Sequence, residues 1–282
     1  MNDRTAIERR SGAGPGPRPA AGLVEIERLG DVGVLTLSRP DQRNALSIAM
    51  LDAIGDAVGA FSADRGIRAV VVAARGPAFS AGHDLKELTA HRADADRGRA
   101  FFADTMQRCA AMMLAILRSP KPFIAAVEGP ATAAGCQLVA TCDLAVAGAN
   151  ATFATPGVDI GLFCSTPMVA LSRNVPRKRA MEMLLLGDPV PAEAAAGYGL
   201  VNRVVPAGEA LAVAKGLARL VAAKSPVTVA IGKEAYYRQI EQPVTEAYAY
   251  ASEVMVRNML ARDAAEGIAA FIEKRPPEWM GE

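Results

Sequence analysis

The sequence predicts an α/β fold: a largely parallel sheet with crossover helices, followed by an all-helical C-terminal region. Three observations carry this. Strand-like apolar runs alternate with helical periodicities as far as residue 205, the pattern of strand–helix–strand crossovers. After Pro206 the strand signal stops and four helical patterns follow. Finally, two apolar strands, within residues 68–74 and 123–127, each feed a loop of small residues that opens into a helix.

Taken in order, residues 23–27 and 34–38 flank Gly30-Asp-Val-Gly33 and read as a β-hairpin. Ser47 is a helix N-cap, because Ile48, Leu51, Ile54, Val58 and Phe61 follow at helical spacing. Residues 68–74 form a buried strand, and Gly76-Pro-Ala-Phe-Ser-Ala-Gly82 leads to a helix start near Asp84. The charged run 91–99 is either a mobile lid or a solvated helix face. Residues 101–117 are apolar at helical spacing and stop before Lys121-Pro122. A strand over 123–127, a Gly129-Pro130 turn, a helix over 133–140 and a strand over 144–147 come next. Residues 150–162 are strand and loop, 169–173, 177–186 and 191–196 are helices, and 200–205 is a strand. The closing helices cover 209–223, 226–239, 244–258 and 262–273. Residues 1–22, rich in Gly and Pro and without an apolar core, read as a disordered tail and not a secretory signal.

A chain of 282 residues that is 51% hydrophobic and 22% charged can bury a large core. Its net charge of +1 provides no general attraction to nucleic acid or to a membrane surface, so an anionic ligand must be held by local cations. No apolar run reaches membrane-spanning length without a polar break. The four cysteines lack Cys-x-x-Cys spacing and read as buried free thiols in a reducing compartment: cytoplasmic, or mitochondrial for a eukaryotic source. With two histidines in the chain, a His-rich metal site is excluded.

The two small-residue loops point to chemistry. The first N–H groups of a helix lack internal partners, and small residues let a ligand carbonyl approach the backbone. Two such donors aimed at one oxygen stabilise an enolate or a tetrahedral oxyanion.

These segments carry a familiar pattern. The marks are Arg39-Pro, Asn44-Ala-Leu, Phe79-Ser-Ala-Gly-His-Asp-Leu-Lys86, Glu128-Gly-Pro-Ala and Gly135-Cys-Gln-Leu. Further marks are Cys142-Asp143, Pro191-Ala-Glu-Ala, Gly199-Leu-Val-Asn-Arg-Val-Val205 and Ala270-Phe-Ile-Glu-Lys-Arg275. From about residue 23 to residue 279 the chain resembles the enoyl-CoA hydratase/isomerase (crotonase) superfamily. The resemblance implies a crotonase spiral of β-β-α units over 23–205 with a C-terminal helical trimerisation region over 206–282, as a homotrimer or dimer of trimers. It implies an acyl-CoA thioester as substrate, lyase or isomerase chemistry of fatty acid metabolism, and no other cofactor or metal. By position, the backbone N–H groups of His83 and Ala134 make the oxyanion hole. Arg43, Ala45, Ala81, Asp84, Leu85 and Lys86 fall on CoA-contacting loops, and Phe271 and Lys274 on a helix that reaches CoA from a neighbouring subunit.

The chain departs from the hydratase pattern at both catalytic glutamates. Gln137 stands at the first and Gly157 at the second. An amide does not titrate and glycine has no side chain, so neither activates water. Ala133 and Ala134 replace the first two glycines of the family's run, which narrows the acyl channel. The expectation is a thioester site without efficient hydration. Rival readings are other enolate chemistry, such as acyl-CoA decarboxylation or thioester hydrolysis, and a non-catalytic acyl-CoA binder or assembly subunit. His83 is either an acid–base group of the oxyanion loop or a loop side chain facing solvent. Asp159 reads as structural, and Ser165 stands where dienoyl-CoA isomerases of the superfamily carry an aspartate.

Overall fold

The computed structural model describes residues 22–282, so the tail expected over residues 1–22 lies outside them apart from Gly22. The chain opens with an antiparallel hairpin, β1 (Val24–Leu29) and β2 (Val32–Leu37). Ser47 then caps α1 (Ile48–Ala63) by accepting from the Met50 N–H, and Met50, Leu51, Ile54, Val58 and Phe61 bury one face. β3 (Ala69–Ala74) pairs parallel with β2, and α2 (Leu85–Ala90) and α3 (Arg99–Arg118) follow.

The second half of the spiral begins with β4 (Phe123–Val127), β5 (Pro130–Thr132) and α4 (Ala134–Thr141). It continues through β6 (Leu144–Gly148), β7 (Thr152–Ala154), α5 (Pro167–Asn174) and α6 (Arg177–Leu186). β8 (Val190–Pro191), α7 (Ala192–Gly197) and β9 (Arg203–Val205) close it. The helical region comprises α8 (Ala210–Ala222), α9 (Pro226–Gln239), α10 (Val244–Met259) and α11 (Arg262–Glu273).

The main sheet runs β1-β2-β3-β4-β6-β9, parallel throughout except for the opening hairpin. A small second sheet runs β5-β7-β8. β3 and β4 are buried on both faces, which explains their unbroken apolar sequence. One face packs on α1, α3 and α4 around Leu37, Ile54, Phe79 and Phe123. The other face is covered by α8, whose Ala210, Ala214, Ala218 and Ala222 lie against Val34, Val71, Ile124 and Val146. Thus α8 shares the core of the strand region although it follows residue 205.

α3 is long and apolar enough to span a membrane by length and composition. Its Thr105, Cys109, Met112, Met113 and Ile116 are nevertheless buried, and its Arg108 bridges to Asp52 on α1 and to Asp104. It packs as a core helix. The segment before it is pinned at several points. The His91 ring stacks on Phe101 at 3.6 Å, and Asp96 accepts from the Gly98 and Ala100 N–H groups. All four cysteines are free and buried.

Three interior polar groups, an ion pair and a phenol, tie α9 to the sheet. Lys233 Nζ bonds Asp143 Oδ2 at 2.7 Å and the Ile116 and Lys121 carbonyls, and Tyr237 donates to Asp143 Oδ1. By contrast, α10 buries no residue, and Tyr248, Leu260 and Phe271 stand 74%, 82% and 86% exposed.

Candidate active site

The candidate site forms where two loops leave the carboxyl ends of the adjacent parallel strands β3 and β4. The loops are zipped together. Phe79 N–H donates to the Pro130 carbonyl at 2.9 Å, and Thr132 N–H donates to the Ser80 carbonyl at 2.8 Å. Ser80 Oγ donates to the Asn44 carbonyl and receives the Gly82 N–H.

Asn44 is the hub of this arrangement. It is fully buried, with φ +52°, a left-handed conformation that asparagine tolerates better than most residues. Its side chain accepts from Arg39 N–H and donates to the carbonyls of Arg75 and Ala78. That fixes the Gly-rich loop against the loop before α1. In the sequence Asn44 stood as a family mark without a role, and the signal that finds its role is an asparagine between Arg43 and Ala45 in a turn.

The two backbone donors expected from the sequence lie on the two loops that form this junction. Leu46 pairs with His83 as a parallel bridge that uses the Gly82 carbonyl and the Asp84 N–H. The intervening His83 N–H therefore points away from Leu46. The Ala134 N–H is at the first turn of α4. Among the described residues neither N–H donates to another group. Gly82 brings them together. A methyl group added there would lie 3.2 Å from the Ala134 nitrogen and 2.9 Å from Ala133 Cβ, and Gly82 has φ +84°. At Gly135 an added Cβ would run into the Ser80 carbonyl, so the start of α4 packs directly on the Gly-rich loop. Ala133 has φ +51° and ψ −116°, a conformation suited to glycine, and its N–H is spent on the Ala154 carbonyl.

The His83 side chain is partly buried. Its Nδ1–H donates to the Leu46 carbonyl at 3.4 Å, since a carbonyl can only accept. Its Nε2 is buried and has no partner among the described residues. Burial pushes its pKa below the usual histidine value, with the Leu46 bond opposing, so the ring is neutral near pH 7.

Gln137 lies on α4 one turn after Ala134, 6% exposed, and its Oε1 is buried without a partner among the described residues. Gly157 is buried in a short helical turn, Pro156–Ile160. A Cβ there would come within 2.9 Å of the Leu162 carbonyl oxygen and 3.0 Å of Cys164 Sγ. The space beside Gly157 is taken by the loop that follows. Ser165 is exposed and donates to the Phe163 carbonyl. The Asp159 carboxylate would lie 3.1 Å from a Cβ added to Gly187, so it sits beside the turn after α6.

Of the CoA-loop residues, Arg43 and Ala81 line one cavity of about 330 Å³ with Pro77, Ala78, Pro130 and Thr132. Ala45 lies two residues after Arg43, and the Ala81 N–H donates to the Arg43 carbonyl. Asp84 caps α2 by accepting from the N–H groups of Lys86 and Glu87, and it pairs with Arg39 at 3.5 Å. Leu85 and Lys86 are exposed on the first turn of α2. Phe271 and Lys274 are not brought to this cavity. They are exposed on or just past α11, which packs on α9 and α10. A larger cavity, about 470 Å³, opens at the opposite end of the strands beside Ser119, Glu234 and Arg257.

Residues 27–282 match the enoyl-CoA hydratase/isomerase family. The chain belongs to the enoyl-CoA hydratase/isomerase family. Its relatives include the rat mitochondrial enoyl-CoA hydratase domain-containing protein 3, 44% identical over 264 residues, spanning 94% of this chain and 86% of the relative. The crystal structure of human enoyl coenzyme A hydratase domain-containing protein 3 superposes with a TM-score of 0.87 at 44% identity, over 93% of this chain and 100% of that one. The structure of an enoyl-CoA hydratase from Mycobacterium smegmatis superposes with a TM-score of 0.86 at 51% identity, over 91% of this chain and 98% of that one. The fold is thus the crotonase fold of that family, as the sequence resemblance implied.

Proposed function

We propose that this family member binds an acyl-CoA thioester, polarises its carbonyl between the His83 and Ala134 N–H groups, and lacks efficient hydratase activity. The observation that carries the reading is the pair of free N–H groups held together across Gly82. Preorganised donors of this kind act where charge develops on the carbonyl oxygen during enolate formation. Gln137 and Gly157 supply neither the base nor the acid that hydration needs. Arg43 and Lys86 are the local cations for the CoA phosphates, and the small net charge of +1 on the chain leaves that work to them. The chemistry that survives is enolate chemistry, with acyl-CoA decarboxylation the simplest form because it needs oxyanion stabilisation more than a base. The reducing compartment read from the four free thiols fits the mitochondrial name of the rat relative.

The exposed apolar residues of α10 and α11 support assembly in multiples of three, with Phe271 and Lys274 of one subunit serving the CoA of the next. The test is calorimetry with butyryl-CoA and light scattering on the same sample. Binding that Lys86→Ala weakens by about 1–3 kcal/mol, the range for a charge-assisted hydrogen bond, bears the reading out. Absence of CoA binding, or a monomer at micromolar concentration, overturns the corresponding half.

A further inference from the structure

Two buried polar atoms near the N–H pair have no partner among the described residues, His83 Nε2 and Gln137 Oε1. Burying such atoms unpaired is costly, about 1–3 kcal/mol each, so a fold retains them where a ligand completes them. Gln137 cannot titrate. His83 can, and its tautomer is set: Nδ1–H is committed to the Leu46 carbonyl, which leaves Nε2 as a bare lone pair on the ring edge turned away from Leu46. The same residue supplies a backbone donor to the proposed carbonyl site, so donor and imidazole belong to one residue.

From this geometry we infer that His83 Nε2 is the general base of the site, removing a proton from carbon 2 of the bound acyl thioester. The inference rests on the acyl-CoA reading above. The step balances without any oxidant or second reactant. The Nε2 lone pair takes the proton, the C–H electron pair becomes the bond between carbons 1 and 2, and the carbonyl π pair moves to oxygen. The enolate is held by the His83 and Ala134 N–H groups. Return of a proton from the imidazolium to carbon 2 restores the thioester. The neutral ring favoured by burial is the form that can accept the proton. The charged groups flanking it on its own segment are Asp84, Lys86 and Glu87. Asp84 is held by Arg39, and Glu87 accepts the Ile48 N–H. The loop that meets Gly82 offers Thr132, Ala133 and Ala134, all uncharged, and the segment that bridges His83 through Leu46 carries Arg39 and Arg43.

The experiment is carbon-2 deuterium exchange of butyryl-CoA in heavy water, read by mass spectrometry, beside calorimetric binding of the same thioester. Native protein is expected to exchange the carbon-2 protons. His83→Gln, which keeps the backbone donor and removes the base, is expected to slow exchange about 10²–10⁴-fold while still binding butyryl-CoA. The native exchange rate should rise with pH to a plateau whose midpoint lies on the acid side of the ordinary histidine value, a profile a structural histidine would not produce. Equal exchange by His83→Gln, or a native protein that binds butyryl-CoA and exchanges nothing, overturns the assignment and leaves the acyl-CoA reading standing. A native protein that binds no acyl-CoA overturns both.

Discussion

Gly157 and Cys164 are in contact: a Cβ on Gly157 would sit 3.0 Å from Cys164 Sγ, with the Leu162 carbonyl oxygen closer still at 2.9 Å. The space beside Gly157, where the sequence resemblance puts the second glutamate of hydratases, is therefore filled by the chain's own loop and is not an empty slot awaiting a side chain. The Leu162 N–H bonds back to the Gly157 carbonyl, which holds that loop in place.

It follows that Gly157→Glu does not restore a hydratase. The glutamate must displace the Leu162–Cys164 backbone, and overpacking of this kind costs about 1–3 kcal/mol. Urea denaturation should show that loss. The double variant with Gln137→Glu should remain a poor hydratase, because the carboxylate introduced at position 157 cannot take the place that the loop occupies. A stable double variant that hydrates crotonyl-CoA well would contradict the packing described.

Gly82→Ala tests the junction of the two N–H groups. The residue has φ +84°, and the added methyl group meets Ala133 Cβ and the Thr132 carbonyl oxygen, each at 2.9 Å. Strain of this kind costs about 1–3 kcal/mol, and relief requires the loops to separate. Butyryl-CoA binding should weaken more than binding of free coenzyme A, which lacks the thioester carbonyl. Calorimetry with both ligands reads the difference, and equal losses would remove the hole from the account.

The C-terminal tail gives a pH prediction. The hydrogen-bonded Arg275 guanidinium, helped by the Glu278 N–H, lowers the Glu266 carboxyl from its ordinary 4.5 to about 2. Asp263 is also lowered. Burial opposes its ionisation, but Ser225 and the N–H groups of Met280 and Gly281 outweigh that. A carboxylate whose folded pKa is depressed contributes stability above its unfolded pKa, and this is lost as pH falls through the folded one. The tail should loosen between pH 4.5 and about 2. Trp279 is the single tryptophan, and its indole N–H donates to the Ala223 carbonyl. Its fluorescence should shift to the red over that range. In Glu266→Gln the shift should already be partly present at neutral pH. An emission maximum that follows only global unfolding by circular dichroism would contradict the role of Glu266.

Much of the framework was legible because the signals are local. Ser47 followed by apolar residues at helical spacing located α1, and Asp84 located the start of α2. The limits of α6, α9 and α11 also follow from spacing and from Pro or Gly punctuation. β5 and β8 were not legible. They span three and two residues, each includes a proline, and they exist only because distant segments pair. The 200–205 strand shortens to Arg203–Val205, because the Asn202 side chain accepts the Ala145 N–H and begins the pairing. Within the site, the lack of a titratable group at Gln137 and Gly157 could be read directly. The filling of the second position by Leu162–Cys164 could not, since it depends on the approach of a loop. Nor could the burial of His83 Nε2, which needs the Leu46 bridge to turn the ring inward.

The account turns on a thioester site that keeps its N–H donors and lacks the hydratase carboxylates. Hydration of crotonyl-CoA by the native protein, followed as loss of ultraviolet absorbance, tests that most directly. Turnover is expected to be weak or absent while crotonyl-CoA still binds. Hydration at rates usual for enzymes, ~1–10³ s⁻¹, would contradict it by requiring an acid and a base other than the side chains at positions 137 and 157.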